Sequence, residues 1–243
     1  MQERSEPLPE NAENHIRIKP AFYNPRYYYL NKLLFWVEWA IKNYLAPLTK
    51  DKKIKLLDFG CGTKPYTPLF KKYPIDYIGA DLSWNPHADI YIENQRVQSP
   101  DNEYDALIST QVLEHVEDYN LYLQEAYRIL KNDGMLVLST HGYWMYHPDP
   151  TDFWRWTSAG LKKIITEQGF EIIAFKGILG RASMGMQLVQ DGILFKIPQW
   201  SRPILACIMQ PLVWLFDKIS SQKARDNDAC TYLVIAKKIR KDI

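Results

Sequence analysis

The chain has 243 residues, 47% of them hydrophobic, enough for one large α/β domain with attachments or for two small domains. Thirty basic side chains against twenty-eight acidic ones leave a formal charge of +2, a field too weak to point to nucleic acid or to an acidic membrane. Cys61, Cys207 and Cys230 are too scattered for a disulfide framework or a zinc site, and the acidic, proline-containing start lacks the apolar run of a secretory signal, so a reducing, cytoplasmic setting is expected.

Residues 1–20, with Glu3, Glu6, Glu10 and Glu13 and no apolar period, read as a loose or draped arm. Apolar side chains at helical spacing predict a helix over 27–45, stopped by Pro47. Short apolar runs then alternate with helical segments. Strands are expected at 54–59, 77–81, 88–93, 104–109, 135–140 and 170–176, and helices at 66–72, 119–130 and 158–168. Thr157 is placed to cap the last helix, Gly169 to stop it, and Asn132-Asp133-Gly134 to turn the chain into a strand. A mainly helical insertion at 178–228 follows, and then a final strand at 231–237. Its most apolar stretch, 204–216, is interrupted by Gln210 and Pro211 and falls short of the roughly 18 apolar residues that span a bilayer. It packs on the domain or, with Trp200, Arg202, Trp214 and Lys218, makes an interfacial face over 193–219. The alternation implies an α/β, Rossmann-like doubly wound sheet with helices on both faces.

A parallel strand that ends in Gly60 and Gly62 lets backbone approach a ligand at the carboxyl edge of the sheet. In a dinucleotide fingerprint a third glycine would stand at position 65, where this chain has Pro65. Asp81, nineteen residues after Gly62, is suited to accept hydrogen bonds from both ribose hydroxyls, as in either an NAD or a nucleoside-sulfonium site.

Asp58-Phe59-Gly60-Cys61-Gly62-Thr63 followed by Tyr77-Ile78-Gly79-Ala80-Asp81 resembles the first two motifs of class I S-adenosylmethionine-dependent methyltransferases. The stretch from Tyr104 through Glu114-His115-Val116 resembles the family's fourth-strand motif. Arg128 to Gly134 with the following strand resembles its next helix, turn and strand. Lys64 stands where the family's first motif has its third glycine. The resemblance, from about 54 to 176, implies a seven-stranded, mostly parallel sheet whose antiparallel last strand lies between the fifth and sixth. It implies S-adenosylmethionine as cofactor, with Gly60, Cys61 and Gly62 at the methionine part, Asp81 and Leu82 at the ribose, and Asp58 orienting the loop or meeting the amino group. Glu93 and Asn94 fall at the adenine, with Asp89 as the alternative acid there. Thr110 and Gln111 fall beside the methionine or cap a helix.

Methyl transfer to a hydroxyl needs alignment, exclusion of water and a base. His141, His147 and His115, in that order, are the candidates, all near the expected ligand edge. The segment 141–157 sets Tyr and Trp rings and Phe153 among His, Asp and Arg, a mixture suited to a pocket with flat apolar faces. Tyr143, Tyr146, Asp152, Arg155 and Trp156 are its acceptor-binding candidates, or Asp152 and Arg155 form a local ion pair while the rings fill the core. The segment resembles a loop of methyltransferases associated with polysaccharide and glycan biosynthesis, which implies O-methylation of a small or glycan-linked acceptor. A lipid-like or quinone precursor and a non-catalytic cofactor-binding protein are the alternatives. Asp149 and Asp152 are too few and too close to argue for a metal, so none is expected.

Overall fold

Strand β1 (Ile54–Phe59) buries every residue but Lys55. Its side chains divide between two cores, Leu57 and Phe59 entering one and Leu56 the other. A strand apolar on both faces belongs inside a sheet covered by helices on each side. The computed structural model, which describes residues 16–148 and 151–240, places it there. The other strands are β2 (Ile75–Leu82), β3 (Ile90–Glu93), β4 (Arg96–Val97), β5 (Tyr104–Thr110), β6 (Leu130–His141), β7 (Phe170–Ile178) and β8 (Thr231–Lys238).

The sheet order is β4-β3-β2-β1-β5-β6-β8-β7. Strands β3, β2, β1, β5 and β6 run parallel to one another, and β8 inserts antiparallel between β6 and β7. That is the expected arrangement with one addition, since the sheet has eight strands where seven were expected. The eighth, two-residue β4 pairs antiparallel with β3 because Asn94 (φ 49°) and Gln95 (φ 61°) both take the left-handed conformation of a tight hairpin turn.

Helices α1 (Tyr27–Ala40), α5 (Arg181–Leu194) and α6 (Arg202–Asp217) cover one face, through Leu33, Val37, Met184 and Val213. Helices α3 (Tyr119–Ile129) and α4 (Ser158–Glu167) cover the other, through Leu123, Ile129, Leu161 and Ile165. Helix α2 (Thr67–Phe70) is shorter than the expected 66–72, and α7 (Gln222–Asn227) lies between α6 and β8.

After α1 the chain keeps turning through a π segment (Ile41–Leu45) and a 3-10 turn (Ala46–Thr49). Pro47 therefore does not end the helix at 45; it occupies the first turn of the 3-10 segment, where its missing N–H costs nothing. Thr157 caps α4 as expected, its hydroxyl accepting from Gly160 N at 3.0 Å, and Gly169 stops the helix at φ 93°. Asp133 (φ 64°) makes the turn expected at 132–134, and the register jumps there from Tyr104↔Leu130 to Ala106↔Met135. The carboxyl ends of β1, β2, β5 and β6 share one edge, which is where a doubly wound sheet holds a ligand.

Candidate active site

At that edge β1 runs into Gly60 (φ 83°) and Gly62 (φ 52°). A Cβ on Gly60 would stand 2.6 Å from a Val112 methyl, so the turn needs glycine both for its backbone and for its approach to β5. Asp81 binds the turn from β2. Its Oδ2 accepts from Gly62 N at 2.7 Å and from Asn85 Nδ2 at 2.8 Å, and its Oδ1 from Leu82 N at 2.8 Å. Asn85 also donates to Gly62 O at 2.9 Å. Cys61 is buried and turned toward β2, and burial pushes its thiol up.

Asp58 is 1% exposed at the end of β1. Burial raises its carboxyl to about 7, against the opposing hydrogen bond from the Tyr77 hydroxyl. Its Oδ1 has no partner, so one buried carboxylate oxygen remains for a ligand. An S-adenosylmethionine amino group is a chemically suited partner.

Lys64, which stands in the place of the motif's third glycine, has its own support. Its backbone is left-handed (φ 56°), and its Nζ reaches Asp89 Oδ2 at 2.6 Å. The stem passes over Gly79, where a Cβ would come within 2.3 Å of Lys64 Cε, and Gly79 N donates to the same carboxylate at 2.7 Å. These bonds hold Asp89 below the usual carboxylate range, despite the opposing effect of its burial. Asp89 is thus engaged in bracing the turn, whereas Glu93 lies exposed at the end of β3 and Asn94 forms the hairpin turn.

Beside the turn, the ends of β5 and β6 gather the three histidines. Gln111 (φ 58°) is held by Ser139, through Ser139 O to its N–H at 2.9 Å and Ser139 Oγ to its amide at 3.0 Å. Thr110 is the last residue of β5. Glu114 is fully buried. Its Oε2 accepts from Thr140 Oγ1 at 2.8 Å, and its Oε1 lies 3.3 Å from His141 Nε2. Burial raises the Glu114 carboxyl to about 7 and drives the His141 imidazole well below its ordinary range.

His141 stacks on Trp144, rings 4.8 Å apart and planes within 4°, and meets Thr231 Oγ1 through Nδ1 at 3.1 Å. His147 stands edge-on to both His141 (4.9 Å) and His115 (4.8 Å). His115 Nδ1 faces Thr151 O at 2.6 Å, and His147 Nδ1 lies 3.3 Å from Asp152 Oδ2. Burial lowers the His147 pKa, with Asp152 opposing the shift.

Asp152 and Arg155 come together with His147. The guanidinium grips both Asp152 oxygens and the carbonyls of Trp144 and Met145, which fixes the loop. The remaining acceptor candidates diverge. Tyr143 donates to Asp228 O at 3.3 Å, Tyr146 is 71% exposed, and Trp156 packs edge-on against Tyr119. Asp149 lies outside the described residues.

Among the described residues, Glu114, His115 and His147 bring potential metal-ligand atoms within 4.8 Å of one another, a grouping that sequence spacing does not reveal. Nitrogen ligands of one tetrahedral ion, bound at about 2.1 Å each, stand only about 3.4 Å apart. The adjacent Arg155 also brings positive charge, so the arrangement fits proton handling better than an ion. Sequence reading also missed Tyr29 and Thr231, which complete the network, and Trp144 as the stacking partner of His141.

Residues 34–174 match the methyltransferase domain family. Among curated relatives, the ubiquinone biosynthesis O-methyltransferase of Pelagibacter ubique is 24% identical over 102 residues, covering 37% of this chain and 42% of the relative. The mitochondrial ubiquinone biosynthesis O-methyltransferase of Bos taurus is 29% identical over 105 residues, covering 36% of this chain and 28% of the relative. The chain thus spans less than half the length of these relatives.

Among solved structures, the [4+2]-cyclase SpnF shares the fold at a TM-score of 0.55 and 20% identity, over 85% of this chain and 81% of that one. Phosphoethanolamine N-methyltransferase 2 of Haemonchus contortus, in complex with phosphomonomethylethanolamine and S-adenosylhomocysteine, aligns at 0.54 and 13% identity, over 97% of this chain and 61% of that one. A methyltransferase from Archaeoglobus fulgidus aligns at 0.50 and 15% identity, over 94% and 99%. These likenesses establish the fold.

Proposed function

The chain belongs to the S-adenosylmethionine-dependent methyltransferase family, and we propose that it methylates an acceptor hydroxyl held at the carboxyl edge of β5 and β6, with His147 as proton acceptor. S-adenosylmethionine is the family's methyl donor. When bound, it supplies an electrophilic methyl on a sulfonium. On this chain Asp81 and the Gly60–Gly62 turn would hold its ribose and methionine portions, and the unpartnered Asp58 oxygen its amino group.

The observation that carries the reading is the meeting of His147 with a carboxylate beside this turn. Asp152 lies 3.3 Å from Nδ1, close enough for its charge to stabilise the imidazolium that forms when the ring takes up the proton, although the two atoms make no hydrogen bond. With the cofactor bound, the acceptor oxygen would take the methyl group while sulfur keeps the electron pair of the broken carbon–sulfur bond, and His147 would receive the hydroxyl proton. Exposure favours His147 over His141 as base, because the His147 side chain is 33% exposed whereas that of His141 is 4%. His141, with Glu114 and Thr231, would position the pocket wall, and His115 the loop at Thr151.

The aromatic side chains of the 141–157 loop suit a ring-shaped acceptor, either a sugar or a phenol. The glycan-linked reading rests on the 141–157 loop. A quinone-like phenol is favoured by the O-methyltransferase relatives.

The test is S-adenosylhomocysteine release against a panel of nucleotide sugars, oligosaccharides and phenols, with wild type and His147→Gln. We expect the variant to lose about 10²–10⁴-fold in turnover while keeping its cofactor affinity. Because burial lowers the His147 pKa and the base must be neutral, wild-type activity should rise with pH through an inflection below the ordinary imidazole value. Full turnover in His147→Gln would exclude it as the base.

A further inference from the structure

The helical hairpin of α5 and α6 is amphipathic in reverse. Its polar side chains face the protein, where Gln187, Gln190 and Gln210 converge on Pro25 O at 3.1, 2.7 and 2.8 Å. Asp191 pairs with Arg26, and Asp217 accepts from Tyr28 OH at 2.8 Å. These contacts pin the hairpin rigidly to the start of α1. Its outward side is apolar. Every exposed position of α6 carries an apolar or cysteine side chain, with Ile204, Ile208, Leu212, Trp214 and Leu215 between 36% and 60% exposed. Phe195 and Trp200, in the connection from α5, are 70% and 76% exposed. A helix facing water shows the opposite pattern, so this surface is shaped for an apolar partner.

Charge identifies the partner. The only acids in 181–219 are Asp191 and Asp217, both buried and paired, while Lys196 and Lys218 are exposed at the borders of the apolar face and Arg202 is half-buried. Lys218 lies 5.6 Å over the Trp214 ring, the combination of cation and indole that settles at a lipid headgroup layer. A second copy joined about a twofold axis would bring like cations together, with no carboxylate among the described residues of 181–219 free on this face to receive them. Anionic headgroups would pair with them. No helix among the described residues is long and apolar enough to cross a membrane, which leaves the hairpin lying in the surface.

We propose that the α5–α6 hairpin is a docking face that lies in the interface of an anionic phospholipid bilayer, its apolar side among the acyl chains and its lysines at the headgroups. The inference is independent of the acceptor's identity and is read without turnover.

The full chain is floated with vesicles of phosphatidylcholine alone and with vesicles containing about one-third phosphatidylglycerol. Binding to the anionic vesicles, weakened by salt and about tenfold or more lower in the Trp200→Ser/Ile204→Ser/Ile208→Ser triple variant, is expected. The substituted positions are exposed, and circular dichroism with cofactor titration checks that the variant is folded. Absence of the protein from the floated anionic vesicles, or undiminished binding by the folded triple variant, would overturn the proposal. A stable dimer by sedimentation that the same triple variant dissociates would assign the face to a second copy instead.

Discussion

The Tyr29 hydroxyl on α1 donates to Gln111 Oε1 at 2.9 Å, joining residues 82 positions apart. Gln111 sits at the mouth of β5 with positive φ, and Ser139 holds its backbone and amide from β6. The same hydroxyl lies 3.2 Å from Thr231 Oγ1, which in turn meets His141. One phenol thus connects the N-terminal helix to the residues on both sides of the proposed acceptor pocket.

Tyr29→Phe keeps the ring packed against Trp144 at 4.6 Å and removes only the hydroxyl. Gln111 and Thr231 lose a partner in a buried setting, which costs about 1–3 kcal/mol. A lowered denaturation midpoint is expected, together with turnover reduced more than cofactor affinity. An unchanged midpoint and unchanged kinetics would show that the network does not depend on this bond.

Gly60→Ala combines a side chain at φ 83° with a 2.6 Å contact to Val112. The conformational part costs about 1–2 kcal/mol and the clash adds to it. Val112→Ala removes the clashing methyls along with some core packing, so Gly60→Ala should cost less in the Val112→Ala background than in the wild type. A double-mutant cycle by chemical denaturation reads the difference; purely additive losses would contradict the contact.

If Asp58 receives the cofactor's amino group as proposed, its carboxyl, raised to about 7 by burial, makes cofactor binding depend on pH. Affinity for S-adenosylmethionine should rise as pH passes through about 7 and the carboxylate forms. Tyr77→Phe removes the hydrogen bond that lowers this pKa, so its inflection moves to higher pH, and Asp58→Asn flattens the profile. For stability the sign is opposite. The folded value lies above the ordinary 3.8, so the contribution is fully present below that value and lost as pH rises through about 7. Titration calorimetry and thermal melts across pH 4 to 8 measure both effects.

Arg155→Lys should loosen the 141–157 loop. The guanidinium reaches three carbonyls and both oxygens of Asp152 at once, and an ammonium cannot reproduce that fork. A loss of about 1–3 kcal/mol is expected, with lower turnover as His147 loses a fixed Asp152. Proteolysis confined to the loop would report the loosening. Wild-type resistance and rate would count against it.

The sheet was legible because its central strands are apolar on both faces and because some helices carry their own caps, as at Thr157. The turn at Gly60 and Gly62 was legible for a related reason, since a strand end that runs into a tight turn calls for the positive φ both glycines take. Local rules were weaker where packing decided the outcome. Pro47 entered a 3-10 turn, α2 shrank to Thr67–Phe70, and the hairpin at Asn94 and Gln95 created an eighth strand.

The amino-acid sequence by itself determined the parallel sheet and the glycine turn, because these follow from periodicity and from backbone conformations only certain residues adopt, while the donor was indicated by the resemblance of its motifs to class I methyltransferases. Tertiary structure alone decided the rest of the site. It brought Tyr29 and Thr231 to His141, set Lys64 against Asp89, drew Asp152 to His147 while Tyr143 and Trp156 turned away, and left the apolar side of α6 outward. Side-chain direction and burial depend on residues far away in the chain, and they set both which groups meet and which carboxyls and imidazoles shift.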